Sequence, residues 1–155
     1  MSAKYLLAIF DMDGTILNTA DDLTDSVNHC LQNHDMPLRT IDEIKGFAGN
    51  GARRLIELSV PDNTAQDTKD TVYAEFSAYY KDHCANKTRP YEGIKTLIGN
   101  IRSAGILTAV VSNKPDIAVK KLCSSDLDLT DYLTTMWEIS PDRTGSLPPT
   151  ACMMS

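Results

Sequence analysis

The sequence has no surplus of positive charge: its 155 residues include 21 acidic and 15 basic side chains, a formal net charge of −6. Proteins that bind nucleic acids or anionic membranes usually present a basic surface. No apolar run approaches the roughly 20 residues that cross a bilayer, and acidic residues follow the apolar start of the chain too soon for a signal peptide. We therefore expect a cytoplasmic protein with no nucleic-acid or membrane partner.

Paired cysteines are also missing. The four cysteines contain no C-x-x-C pair and are scattered along the chain, as Cys30, Cys84, Cys123 and Cys152. This spacing argues against a zinc site or a disulfide framework. We expect reduced thiols, buried in the core.

Two apolar runs predict strands, at Tyr5–Phe10 and Ile106–Val111. Continuous apolar runs are typical of strands covered on both faces of a parallel sheet. Apolar residues at helical spacing predict a helix that starts after Asn18 or Thr19, either able to cap it, and a second helix that Gly105 ends. The segment between is helical in pattern, so the sequence predicts an α/β protein with a helical insert.

Two aspartates directly follow the first predicted strand. Asp11 can act as a nucleophile and magnesium ligand, and Asp13 can exchange a proton with a leaving oxygen and with water. Gly14 permits a tight turn, and Thr15 adds a hydroxyl and an N–H group. The plain alternative is a strand that ends in an ordinary Asp-Gly turn.

A second polar cluster follows the second predicted strand. If the two strands are parallel neighbours, their carboxyl ends lie at the same edge of the sheet, where open α/β folds place their ligands. The Ser112 hydroxyl and the backbone around Asn113 can hold phosphoryl oxygens, and Lys114 supplies positive charge. A turn before a helix is again the plain alternative.

These phrases resemble a known family. Phe10-Asp-Met-Asp-Gly-Thr15 is similar to motif I of the haloacid dehalogenase superfamily, and Ala109-Val-Val-Ser-Asn-Lys-Pro115 is similar to motif II. The flanking phrases resemble phosphoglycolate phosphatases, and Gly49-Asn-Gly-Ala-Arg-Arg-Leu55 resembles a stretch of their cap domains. The resemblance covers roughly residues 4–132.

The resemblance implies a Rossmann-like parallel-sheet core, incomplete at its C-terminus, with a small inserted helical cap. The implied core comprises residues 1–17 and 89–132, and the implied cap comprises residues 18–88. Beyond Tyr132 the pattern stops, and we expect an irregular tail over residues 133–155.

The implied activity is Mg²⁺-dependent hydrolysis of a small phosphorylated metabolite similar to 2-phosphoglycolate. Asp11 would be the nucleophile, Asp13 the general acid and base, and both would hold the magnesium ion. The other implied contacts bind phosphate or substrate: Thr15, Gly49, Asn50, Arg53, Ser112, Asn113 and Lys114. An arginine on a helical face is more often only solvated. A sugar-phosphate mutase of the same superfamily and a non-catalytic truncated form are the alternatives.

Two pieces of the family pattern are missing from the sequence. These are the motif III lysine and the motif IV acidic pair, so we expect a weak catalyst. We hypothesise that a reading-frame shift between Tyr132 and Met136 replaced the rest of a longer phosphatase. Sequencing the encoding DNA tests this hypothesis, which is wrong if the other frame opens no continuation with an acidic motif.

Overall fold

The computed structural model describes residues 5–114, 116–124 and 135–138. The chain divides into two compact units, which we call the core unit (residues 1–17 and 89–155) and the inserted unit (residues 18–88). The elements in chain order are β1 (Leu7–Asp11), β2 (Leu17–Asn18), α1 (Ala20–Asn33), α2 (Ile41–Phe47), α3 (Ala52–Ser59), α4 (Gln66–His83), β3 (Arg89–Pro90), α5 (Ile94–Ser103), β4 (Leu107–Ser112), α6 (Asp116–Ser124) and β5 (Thr135–Glu138).

A parallel sheet of three strands, in the order β1-β4-β5, organises the described part of the core unit. β1 and β4 pair in parallel from Leu7 opposite Leu107 to Asp11 opposite Val111. This confirms the predicted α/β class and places the carboxyl ends of both predicted strands at one edge of the sheet. The short strands β2 and β3 form a separate two-stranded sheet.

β1 is less covered than we predicted. Its side chains alternate between half-buried and exposed, and Leu7 and Ile9 are 48% and 61% exposed. Within the described residues β1 pairs only with β4, so it is an edge strand there. The prediction of a strand buried on both faces is wrong, because an apolar run reports the strand but not which elements cover it.

The prediction of an irregular tail is wrong at Thr135–Glu138, which forms β5. β5 pairs in parallel with β4, from Thr135 opposite Ala109 to Glu138 opposite Ser112. A β-branched and an aromatic residue favour the strand, and the free edge of β4 provides its hydrogen-bonding partners. The rest of the predicted tail and the frame-shift hypothesis lie outside the described residues.

Helix α5 ends as the sequence predicted. Gly105 has a φ of +77°, and its N–H group donates to the Arg102 carbonyl at 2.8 Å. The next N–H group, from Ile106, donates to the Ile101 carbonyl at 3.2 Å. These two bonds satisfy carbonyl groups that the end of a helix otherwise leaves free, and they turn the chain into β4.

The inserted unit is a cluster of four described helices, α1 to α4. The apolar stripe predicted for α1 is buried, at Ala20, Leu23, Val27, Cys30 and Leu31. Thr19 is the N-cap residue of α1, but its side chain makes no capping bond, and Asn18 instead accepts weakly from the Ala20 N–H group at 3.4 Å. α2 has a complete capping box between Thr40 and Glu43.

Cys30 and Cys84 are buried, as the sequence predicted, and neither of them forms a disulfide. Burial, reinforced by the nearby Glu75 carboxylate, raises the pKa of the Cys30 thiol to about 11, so it is neutral at physiological pH. The side chains of Cys123 and Cys152 lie outside the described residues. No described helix is both long and apolar enough to cross a membrane.

Ser26 carries a buried hydroxyl on α1 whose oxygen has no hydrogen-bond partner. An unsatisfied buried polar group costs about 1 to 3 kcal/mol. We expect Ser26→Ala to raise the free energy of unfolding by about 1 kcal/mol, measured by urea denaturation. Ser59 is the matched control, because it is equally buried and donates to the Leu55 carbonyl at 2.7 Å. A loss of stability in Ser26→Ala would contradict the prediction.

Candidate active site

The candidate site lies at the carboxyl ends of β1 and β4. Asp11 is the last residue of β1, and Ser112 is the last residue of β4. Asp11 lies opposite Val111 in the parallel register, so Ser112 is one position beyond the Asp11 pairing. The sheet thus brings together two segments that are far apart in the chain, one with a carboxylate and one with a hydroxyl.

A tight turn follows β1 and contains Asp13. The Gly14 N–H group donates to the Leu17 carbonyl at 2.9 Å, and the Leu17 N–H group donates back to the Met12 carbonyl at 3.0 Å. Gly14 has a φ of +73°, which side-chain-bearing residues rarely adopt, although a Cβ atom there would meet nothing within 4 Å. The requirement for glycine is therefore conformational. The Asp-Gly turn is real, and it presents Asp13 beside the strand end.

Lys114 and Asp13 form a buried ion pair. The Lys114 Nζ atom lies 3.0 Å from the Asp13 Oδ1 atom, and the two side chains are only 5% and 17% exposed. The Lys114 N–H group donates to the Ser112 Oγ atom at 3.2 Å, which closes the turn after β4. Because the pair is shielded from water, its attraction is stronger than that of a surface pair.

The remaining predicted residues of this edge are open to solvent. Asp11, Thr15 and Asn113 are exposed, whereas Ser112 and Lys114 are buried. The Thr15 N–H group donates to the Met12 carbonyl at 3.3 Å, so it is used within the turn. The buried hydroxyl and ammonium groups suit the oxygens of an anionic ligand that approaches from solvent, whereas the exposed Asp11 carboxylate repels such a ligand.

Oxygen donors dominate this edge, and oxygen is the ligand that Mg²⁺ prefers. Asp11 and Asp13 offer carboxylate and main-chain oxygens within one turn. Across the described residues, no group of three or more His, Cys, Asp or Glu side chains is arranged to hold a metal ion. The donor chemistry fits Mg²⁺ with few protein ligands, as this ion usually keeps several waters.

The inserted unit carries the other three predicted contacts, Gly49, Asn50 and Arg53. Gly49 and Gly51 both have positive φ angles, +102° and +86°, and Gly51 is the N-cap residue of α3. Gly49 and Asn50 are exposed in the loop before this helix, and Arg53 is exposed in its first turn. The two glycines provide backbone conformations that start α3 without a side-chain cap.

Arg53 is engaged on the surface of the inserted unit rather than free. Its Nη1 atom lies 2.6 Å from the Asp70 Oδ1 atom, and its guanidinium lies 4.5 Å from the centre of the Tyr73 ring. The hydrogen bond between the two side chains raises the pKa of Arg53 and lowers the pKa of Asp70. Both side chains are about half exposed, so the pair contributes little to stability.

The family model for haloacid dehalogenase-like hydrolases matches residues 8–142. The chain belongs to this hydrolase family. The match extends ten residues beyond Tyr132, where we predicted that the resemblance stops, and so includes β5.

Several curated hydrolases of known name are similar to the chain. The phosphoglycolate phosphatase of Agrobacterium fabrum is 34% identical over 137 residues, which cover 84% of this chain and 57% of the relative. The N-acetylmuramic acid 6-phosphate phosphatase of Pseudomonas aeruginosa is 33% identical over 107 residues, covering 69% and 47% respectively. The chain thus spans about half the length of these curated relatives.

A solved hydrolase structure supports the fold. The crystal structure of a candidate phosphoglycolate phosphatase from Lactobacillus delbrueckii subsp. bulgaricus superimposes with a TM-score of 0.80 at 34% identity. The match covers 90% of this chain and 67% of that chain. The parallel sheet of this chain therefore has the Rossmann-like architecture that the sequence predicted.

Sequence reasoning missed two carboxylates that the structure makes prominent. Asp22 lies in the first turn of α1, where an acidic residue favours the helix dipole, and its side chain is buried. Its position between the buried residues Thr19 and Leu23 on one helical face is a signal that would have identified it. Asp70, the partner of Arg53, had no such signal, because it lies exposed on a different helix.

Proposed function

We propose that the protein hydrolyses a small phosphomonoester through an aspartyl-phosphate formed on Asp11. The observation that supports this most directly is the clustering of Asp13, Ser112 and Lys114, beside Asp11, at the ends of two adjacent parallel strands. Hydroxyl, ammonium and carboxylate groups in this arrangement suit phosphoryl transfer, in which positioning and charge stabilisation supply most of the catalysis.

In the first step, an Asp11 carboxylate oxygen attacks the phosphorus atom, and the bond between phosphorus and the ester oxygen breaks. Asp13 takes up a proton from solvent when Lys114 leaves it for the phosphoryl oxygens, and it gives this proton to the departing oxygen, which leaves as an alcohol. The Ser112 hydroxyl and the Lys114 ammonium bind the oxygens of the phosphoryl group, with Thr15 and Asn113 at the rim of the site. Lys114 exchanges its contact with Asp13 for one with the phosphoryl oxygens, which carry more negative charge.

In the second step, Asp13 takes a proton from water, and that water attacks the phosphorus atom of the aspartyl-phosphate. The bond between phosphorus and the Asp11 oxygen breaks, which releases inorganic phosphate and restores the Asp11 carboxylate. Mutase chemistry would require a second substrate hydroxyl in place of water.

Magnesium would be held by the Asp11 carboxylate and the Asp13 main-chain carbonyl. When bound, it offsets the repulsion between the Asp11 carboxylate and the incoming phosphate. Besides magnesium, the ammonium group of Lys114 supplies positive charge at the site.

The proposed substrate is a small phosphorylated metabolite of the 2-phosphoglycolate type, by similarity to the phosphoglycolate phosphatases. The similarity to an N-acetylmuramic acid 6-phosphate phosphatase makes a sugar phosphate the second candidate. Phosphate release from p-nitrophenyl phosphate, 2-phosphoglycolate and N-acetylmuramic acid 6-phosphate, with and without Mg²⁺, tests the proposal. Absence of turnover with all three would overturn it in favour of the non-catalytic form.

Arg53 is proposed to bind the substrate, by release from Asp70. We expect Arg53→Ala to raise KM for the best substrate about fivefold and to leave kcat nearly unchanged, because the contact is equally strong in the ground and transition states. Stability should change little, since exposed ion pairs contribute little. Steady-state kinetics measures both constants.

Arg54 provides the matched control for this prediction. It is the next residue of α3, is also exposed, and pairs with Glu57 at 3.1 Å. Arg54→Ala should leave both constants unchanged. Equal effects of the two substitutions would show that Arg53 acts only through general surface charge, as a merely solvated arginine would.

A further inference from the structure

A single buried carboxylate joins the beginning and the end of the inserted unit. Asp22 is 2% exposed, in the first turn of α1. It accepts the Lys87 N–H group at 2.9 Å (Oδ1) and 3.0 Å (Oδ2), and the Thr88 N–H group at 2.8 Å (Oδ2). The Thr88 hydroxyl also donates to Oδ2, at 2.8 Å, and Thr88 is fully buried. The donors lie 65 and 66 positions after the acceptor.

This arrangement goes beyond what the start of a helix requires. Burying a carboxylate is costly unless hydrogen bonds compensate it, and here every donor comes from the two residues that end the inserted unit. Lys87 and Thr88 lie between α4 and β3, in neither a helix nor a strand. In a helix or strand, the N–H groups of Lys87 and Thr88 would donate to backbone carbonyl groups. Here they donate to the Asp22 carboxylate instead.

A second contact holds the same segment but differs in kind. The Lys87 Nζ atom lies 2.6 Å from the Asp25 Oδ2 atom, and both side chains are more than half exposed. This pair raises the pKa of Lys87, yet exposed pairs are screened by water and salt. Asp22 and Asp25 are both carboxylates, lie one helical turn apart and contact the same segment. They differ in that Asp22 is buried and Asp25 is exposed.

We propose that Asp22 is a positioning residue that clasps the exit of the inserted unit to its first helix. The first helix of the inserted unit and its last two residues are then held together. Without this contact the last residues of the unit would be less ordered, which would make the positions of Gly49, Asn50 and Arg53 within the unit less well defined. Only this consequence for substrate binding rests on the proposed function.

Amide hydrogen exchange on the full-length chain, without substrate, tests the clasp. Lys87 and Thr88 amides should be protected in the wild type and exchange about tenfold faster or more in Asp22→Asn, because the amide side chain loses both the charge and an acceptor. Asp25→Asn makes the same chemical change and should leave them protected. The Phe76 amide, inside α4, reports the opening of the whole unit.

Two outcomes of the exchange experiment would overturn the clasp. One is unchanged protection of Thr88 in Asp22→Asn, and the other is equal acceleration at Thr88 and Phe76, which would mean general destabilisation. If Asp22→Asn fails to fold, Thr88→Val keeps the charge and removes one bond. It should then accelerate exchange at Thr88 but not at Phe76, and no local acceleration would again overturn the clasp.

The positioning role is tested separately by kinetics. Asp22→Asn should raise KM several-fold with little change in kcat, while Asp25→Asn should change neither. An unchanged KM would overturn the positioning role even where the exchange data support the clasp. Absence of turnover in the wild type would refute the proposed function alone, because the exchange measurement needs no catalysis.

Discussion

Asp11→Asn should reduce phosphate-ester hydrolysis by about a thousandfold or more, the largest effect we expect in this chain. An amide oxygen is a poor nucleophile, and its neutral charge also weakens the binding of Mg²⁺. Initial rates with p-nitrophenyl phosphate and Mg²⁺ measure the loss. Rapid acid quenching should trap phosphate on the wild-type chain and none on the variant, because only the wild type forms the aspartyl-phosphate.

A matched substitution controls for the loss of one negative charge. Asp62 is exposed, lies in the inserted unit and is remote in sequence from both strand ends. Asp62→Asn should retain full activity. If Asp11→Asn kept more than about a tenth of the wild-type rate, another group would have to be the nucleophile, and the proposed mechanism would be wrong.

Lys114→Met should lower the free energy of unfolding by about 2 to 3 kcal/mol. Methionine keeps much of the buried length of lysine but leaves the Asp13 carboxylate without its partner at 3.0 Å. Breaking a buried pair costs more than the pair contributes, because the remaining charge is desolvated. The expected loss is smaller than the roughly 3 to 5 kcal/mol of a fully buried pair, since Asp13 is 17% exposed. Urea denaturation measures it.

A double-mutant cycle separates the ion pair from the packing of the lysine stem. Asp13→Asn combined with Lys114→Met should recover most of the stability lost in Lys114→Met alone, because no buried charge is then left unpaired. Activity should be lost in all three variants. Additive losses of stability would contradict a coupled pair and would mean that Lys114 stabilises the core only through its aliphatic stem.

Local pattern was a reliable guide wherever a structure is formed by neighbouring residues. The buried stripe of α1, the end of α5 at Gly105 and the strands at β1 and β4 follow from helical spacing, a positive φ angle and apolar runs. The motif residues at the two strand ends followed from the same patterns. Even so, both strands lie one or two residues later than predicted, because an apolar run does not fix the first and last ladder bonds of a strand.

The sequence pattern did not predict which strands of the sheet lie at its edge or are covered by other elements. Leu7 and Ile9 look like residues of a central strand, yet they are exposed at an edge of the described sheet. Conversely, Thr135–Glu138 carries too short a pattern to stand out but gains a partner in β4. Whether a strand is a central or an edge strand depends on segments that are distant in the chain. A window of neighbouring residues does not contain that information.

The pairing of charged side chains is the other property that only the folded chain decided. The sequence supplied Asp13, Lys114 and Arg53 as chemical groups and, through the strand ends, placed the first two at one edge of the sheet. It did not reveal that Lys114 contacts Asp13, that Asp70 holds Arg53, or that Asp22 gathers donors from residues 65 and 66 positions away. The periodicity of a helix or strand indicates which face a residue occupies. The partner of a charged side chain, in contrast, depends on which distant segment of the chain packs beside that face.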